Sequence, residues 1–237
     1  MRWNSTPEHR FKSLSFRRIC CWCLAALLLV SAPSAAQVTI PAGSYIVDMG
    51  VNTTAKPAGL RPYGMIHELV KYYKVPIVWV IREGKAKDAV DYTISGVAYK
   101  GGLFIIPGNY ITGPVQTLIT GWTSGTSTTS PNGYTMGLVT ARLISSPYTF
   151  SGAKIDTIKS APLWTLDDQN GAISQGFLIN AGIPASAYNW LAPSLLGDCN
   201  DIFVMPHADP TWATHGNLYN WNLTYKGAIW LGCHAGS

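Results

Sequence analysis

The chain has 237 residues and a formal net charge of +5, yet only 12% of it is charged and 47% is hydrophobic. Five of the 17 Lys and Arg and one of the 12 Asp and Glu precede residue 37, so the 12 basic and 11 acidic residues that follow nearly cancel. That balance excludes a nucleic-acid partner held by net charge, and the apolar and aromatic content excludes a disordered chain.

Arg10, Lys12, Arg17 and Arg18 form a basic region, Ile19 to Val30 is an apolar run of 12 residues, and Ser34-Ala35-Ala36 offers a small-residue cleavage site. This tripartite pattern predicts a signal peptide over residues 1–36 and an exported chain from Gln37. The run is short of the about 20 residues of a membrane span. Contact with a membrane is therefore expected only through the leader during export, with an uncleaved anchor as the alternative.

Tyr45 to Met49 reads as a first strand, Arg61 to Lys74 as a helix with Met65, Ile66, Leu69 and Val70 on one face, and Pro76 to Ile81 as a continuous apolar strand. This spacing predicts a right-handed parallel β–α–β unit. Leu103 to Ile106 is another buried strand, and Gly113 to Thr120 a short helix. Residues 123–133, rich in Ser, Thr and Gly, form a loop or hairpin connection. Tyr134 to Ile144 reads as one strand and Pro162 to Leu166 as another. Gly171 to Ala181 reads as a helix with Ile173, Phe177 and Leu178 inward. A strand over Asp201 to Met205, a helix within Thr214 to Tyr225 and a final strand over Ala228 to Leu231 complete the reading.

Non-alternating apolar strands between helices imply a sheet covered on both faces. The expected fold is α/β: a single doubly wound domain over 37–237, its sheet mostly parallel. Two strands ending in proline, Leu103 to Pro107 and Asp201 to Pro206, suggest loops on one edge of that sheet. Ligands of such folds bind beyond the carboxyl ends of the strands. Asp48, Gly108, His207, Asp209 and Cys233 all fall at or just past such ends.

Cys20, Cys21 and Cys23 belong to the leader; Cys199 and Cys233 follow it. If the strands after Cys199 and before Cys233 are parallel neighbours, the two thiols stand at opposite edges of the sheet. They are then roughly 16 Å apart at about 3.3 Å per residue, beyond the about 7 Å that a disulfide tolerates. Cys233 follows a strand at once, between Gly232 and His234, with Ala235 and Gly236 beyond. Small residues around one nucleophile past a strand are what a nucleophile elbow needs. An inert buried thiol is the alternative.

The stretch Asp201-Ile202-Phe203-Val204-Met205-Pro206, a helix, and Ala228-Ile229-Trp230-Leu231-Gly232-Cys233-His234 resembles the class I glutamine amidotransferase-like superfamily. The PfpI-type branch, which also places His after the Cys, is the nearest. The resemblance spans about the last 40 residues. It implies a flavodoxin-like three-layer α/β sandwich, incomplete at the C-terminus because the chain ends where a covering helix is expected. It implies Cys233 as nucleophile, His234 or His207 as base, and Glu68 on the first helix as a group contacting the thiol. The chain departs from that pattern at His207 and Ala208, which stand where the family has glycines, and at Leu231.

Glu68 reads equally as a solvated helical carboxylate. His207, Asp209 and His215 are ligand types for zinc or iron, but their spacing matches no defined metal motif. No phosphate loop, dinucleotide fingerprint or catalytic carboxylate pair is present, and no cofactor is expected. The expected function is an exported cysteine hydrolase or amidotransferase-like enzyme. The alternatives are a non-catalytic binding module, with Trp212, Tyr219 and Trp221 facing a glycan or protein, and a structural piece of a larger exported protein. The ligand expected is a small molecule, peptide or glycan.

Overall fold

The computed structural model describes residues 37–49, 56–207 and 209–233. The signal-peptide reading and His234 lie outside the described residues. The first part of the chain runs β1 (Val38–Ile40), β2 (Tyr45–Asp48), α1 (Lys56–Tyr73), β3 (Ile77–Arg82), β4 (Tyr92–Ile94), β5 (Val97–Tyr99), β6 (Leu103–Ile106), α2 (Gly113–Trp122), β7 (Thr128–Thr129), β8 (Thr135–Met136), β9 (Ala141–Leu143), β10 (Tyr148–Phe150) and β11 (Ala153–Ile158). The second part runs β12 (Trp164–Asp167), α3 (Ala172–Asn180), β13 (Tyr188–Leu191), β14 (Ile202–Met205), α4 (Trp212–His215), α5 (Asn217–Tyr225) and β15 (Ala228–Leu231).

The doubly wound, mostly parallel, flavodoxin-like sheet is not formed. The larger sheet has five strands in the order β11-β3-β6-β2-β9, and every neighbouring pair is antiparallel. The expected β2–α1–β3 unit exists, and its two strands do point the same way. However, β6 lies between them, antiparallel to both.

The reason is visible in β6, which is buried at all four positions. Phe104 and Ile106 face a core shared with α1 and α2. Leu103 and Ile105 face a second core with Tyr92, Tyr99 and Phe150. That second face is covered by the β4–β5 hairpin and by β10 rather than by helices. A continuous apolar run reports burial on two faces, and a parallel sheet is only one way to achieve it.

Parallel pairing is confined to a four-stranded sheet in the order β13-β12-β14-β15. There the expected neighbours β14 and β15 do lie side by side. The two proline-ended strands, β6 and β14, belong to different sheets. Leu166 of β12 and Val204 of β14 pack into the same core as Val47, Ile77 and Phe104, joining the two sheets through α1.

The expected strand from Tyr134 to Ile144 is broken into β8 and β9, where Gly137 (φ 105°) and Leu138 (φ 67°) leave the extended region. The Ser/Thr/Gly-rich loop contributes β7, which pairs with β8 as a hairpin. On α3, Leu178 and Ser174 are buried, whereas Ile173 and Phe177 are about half exposed. That helix is apolar on nearly every face, so its pattern does not mark one side. Among the described residues no helix is long and apolar enough to cross a membrane.

Candidate functional site

The carboxyl edge of the parallel sheet gathers part of the expected site. Met205 pairs with Leu231, so His207 and Cys233, each two residues further on, occupy matching positions at one edge. The Gly232 amide donates to the Met205 carbonyl at 3.1 Å, carrying the ladder one step past β15. A Cβ on Gly232 would come within 2.8 Å of the Pro206 carbonyl oxygen, so the close approach requires glycine. Cys233 is exposed and has φ 50°, a left-handed backbone that is unfavourable for a residue with a Cβ.

The other expected members lie elsewhere. Glu68 is fully buried on α1. It accepts from Trp122 Nε1 at 2.8 Å and from Asn132 Nδ2 at 2.9 Å. It is neither a solvated carboxylate nor part of the β14–β15 edge; it ties α1 to α2 and the hairpin loop. Asp48 and Gly108 fall at opposite edges of the antiparallel sheet, because β2 and β6 run in opposite directions. Asp48 pairs with Arg142 at 3.2 Å. Cys199 and Cys233 are both exposed and free. Trp221 is buried in a small core of its own, whereas Trp212 is 79% exposed. Among the described residues no three His, Cys, Asp or Glu side chains stand close enough to hold a metal ion.

A concavity lies at a different place. A cavity of about 680 Å³ opens between α1, α3 and the first strands of the parallel sheet. From α1 it takes Leu60, Tyr63, Ile66, His67 and Val70, and from α3 Ser174, Phe177 and Leu178. Phe104, Trp164, Ile202, Val204 and Trp230 come from four strands of the two sheets. Among the described residues no Lys, Arg, Asp or Glu lines it. Tyr63, Phe177 and Trp230 are between 44% and 51% exposed and form the mouth.

Of the lining residues, Trp164 and Ser174 each carry a polar atom, Nε1 and Oγ, that is closed off from the open space and has no hydrogen-bond partner, and His67 Nε2 is likewise closed off, with the Pro162 carbonyl acting on the ring. His67 is held from its other side, with Nδ1 2.7 Å from the Tyr134 hydroxyl. Burial, and secondarily the charge of Lys71, pushes His67 down from its ordinary 6.5 to about 4; the Pro162 carbonyl opposes the shift. The ring is therefore neutral at physiological pH. Tyr134 is itself pushed up, chiefly by burial, and keeps its proton.

The sequence offered no motif for this cavity. Its residues are scattered from Leu60 to Trp230, and the mouth residue Phe177 was expected to face inward. Neither Cys233 nor His207 lines this cavity or the smaller one, of about 320 Å³, beside His215. No family model, curated protein or solved structure matches the chain.

Proposed function

We propose that this chain is an exported, non-catalytic binding module that holds a small apolar molecule between α1 and α3. One observation carries the reading: an open cavity of about 680 Å³ whose lining is apolar and rich in aromatic rings. Ligand sites are commonly concavities of about 300–1,000 Å³, mostly apolar, with a few polar groups that set orientation. Ala161 tests it, because it lines the cavity from the segment between β11 and β12, outside any helix or strand. Ala161→Trp should fill the space. The variant should unfold at or above the parent temperature and lose calorimetric binding of an apolar naphthalene derivative. Unchanged binding in a folded Ala161→Trp protein sinks the reading.

A second reading is a thiol nucleophile at Cys233 with His207 as its base. The shared register position and the left-handed backbone at Cys233 favour it. Iodoacetamide labelling of Cys233 should then outpace that of Cys199 at least about tenfold, and His207→Ala should remove the difference. Equal rates at the two exposed thiols would leave Cys233 without a catalytic role.

A further inference from the structure

We infer that β15 is a self-pairing edge: two copies of this chain join β15 to β15, antiparallel, about a two-fold axis. The open side of the parallel sheet carries this, independently of what the groove binds.

β15 stands at one end of the order β13-β12-β14-β15, and among the described residues β14 is its only strand partner. An open edge presents unpaired amides and carbonyls, and proteins usually blunt it with charge or proline. The other edges of the two larger sheets follow that rule. β11 carries Lys154 and Asp156, β9 carries Arg142, and β13 runs into Pro193. β15 reads Ala-Ile-Trp-Leu, with neither device. Trp230 and Leu231 are 44% and 42% exposed.

Backbone direction fixes the register. The Ala228 and Gly232 amides donate to the Asp201 and Met205 carbonyls, so the backbone groups of Ile229 and Leu231 turn to the open side. Setting Ile229 opposite Leu231 of the second copy satisfies all of these groups. It also brings Trp230 opposite Trp230 of the second copy at the axis, and Ala228 opposite Gly232. No pair sets like charges against each other, and apolar and aromatic cross-strand pairs are favourable. Tyr63 and Phe177, which share the groove mouth with Trp230, and Tyr225, just before β15, are each about half exposed. With Trp230 and Leu231 they offer roughly 500 Å² of apolar side chain, at about 100 Å² for half an aromatic one. The strand backbones add to this, towards the about 800 Å² per partner of a standard interface. Isologous pairing of this kind closes on itself.

The test is sedimentation equilibrium of the full chain, whose mass should be twice 25.7 kDa. Leu231→Pro removes an outward amide that the monomer does not use, and proline is tolerated on an edge strand. That variant should be a folded monomer. A monomeric parent, or a dimer that survives in folded Leu231→Pro, overturns the pairing. Crosslinking reads the register, in chains whose own cysteines are replaced by serine. Directly opposed residues of a non-hydrogen-bonded antiparallel pair have Cα atoms about 4.5 Å apart, within disulfide range. Trp230→Cys should therefore give a disulfide-linked dimer on mild oxidation, whereas Ala228→Cys, opposite Gly232, should stay unlinked. Linkage of Ala228→Cys as readily as Trp230→Cys, or of neither, overturns the pairing even if Leu231→Pro does not fold.

Discussion

His67 shows what one buried side chain contributes in each of two roles. Its Nδ1 meets the Tyr134 hydroxyl at 2.7 Å and helps to fix α1 against the hairpin that carries Tyr134. Its Nε2 is closed off from solvent, and the Pro162 carbonyl acts on the ring. Because burial lowers its pKa to about 4 from 6.5, the unfolded chain takes up a proton at a higher pH than the folded one. The stability contributed by keeping His67 neutral is present above about pH 6.5. It is lost as pH falls towards 4, by on the order of 2–3 kcal/mol. Urea unfolding at neutral pH and near pH 4.5 should show that loss. His67→Gln should flatten this part of the acid profile, and an unchanged slope would show that the ring is not buried neutral. Glu68, its neighbour, illustrates the limit of a residue read alone. A carboxylate on a helix is normally solvated, and only the Trp122 and Asn132 donors, 54 and 64 residues away, show why this one is buried.

At the scale of elements, the crossing of α1 over the C-terminal end of α3 is the tightest joint next to the groove. A Cβ on Gly64 would collide with the Ala181 carbonyl oxygen and come within 2.9 Å of the Trp122 ring. Alanine normally favours a helix over glycine by about 1 kcal/mol. Here backbone must move to admit the methyl, a cost of about 3 kcal/mol that outweighs the gain. Gly64→Ala should therefore lower the unfolding free energy by about 2 kcal/mol or more. Stabilisation by that variant would mean that the two helices are further apart. Sequence periodicity located α1 well, since Met65, Ile66, Leu69 and Val70 are all buried. It misplaced Ile173 and Phe177 on α3, where apolar residues on nearly every face leave only packing to choose the buried side.

At the scale of the whole molecule, one core spans both sheets. Leu166 is fully buried in the cluster that also holds Val47, Ile77 and Phe104 of the antiparallel sheet. The two halves should therefore unfold together. Leu166→Ala should cost about 2–5 kcal/mol and move the far-ultraviolet and tryptophan-fluorescence transitions by the same amount. Separate transitions would mean that the sheets fold independently.

What the sequence by itself determined is which segments are buried. The runs at Ile77–Arg82, Leu103–Ile106, Ile202–Met205 and Ala228–Leu231 were legible as strands within about a residue. The shared edge of His207 and Cys233 was legible too, because it follows from two short strands pairing in register. Tertiary structure alone decided that β6 enters between β2 and β3. It also decided that hairpins rather than helices cover the far face, and that Glu68 serves the core. The groove, too, was its decision, drawing together residues as distant as Leu60 and Trp230. The reason is physical. Local pattern records how much water each side chain loses. The choice of partner strand and the shape of the space left between elements depend on contacts between residues far apart in the chain, and no short window contains them.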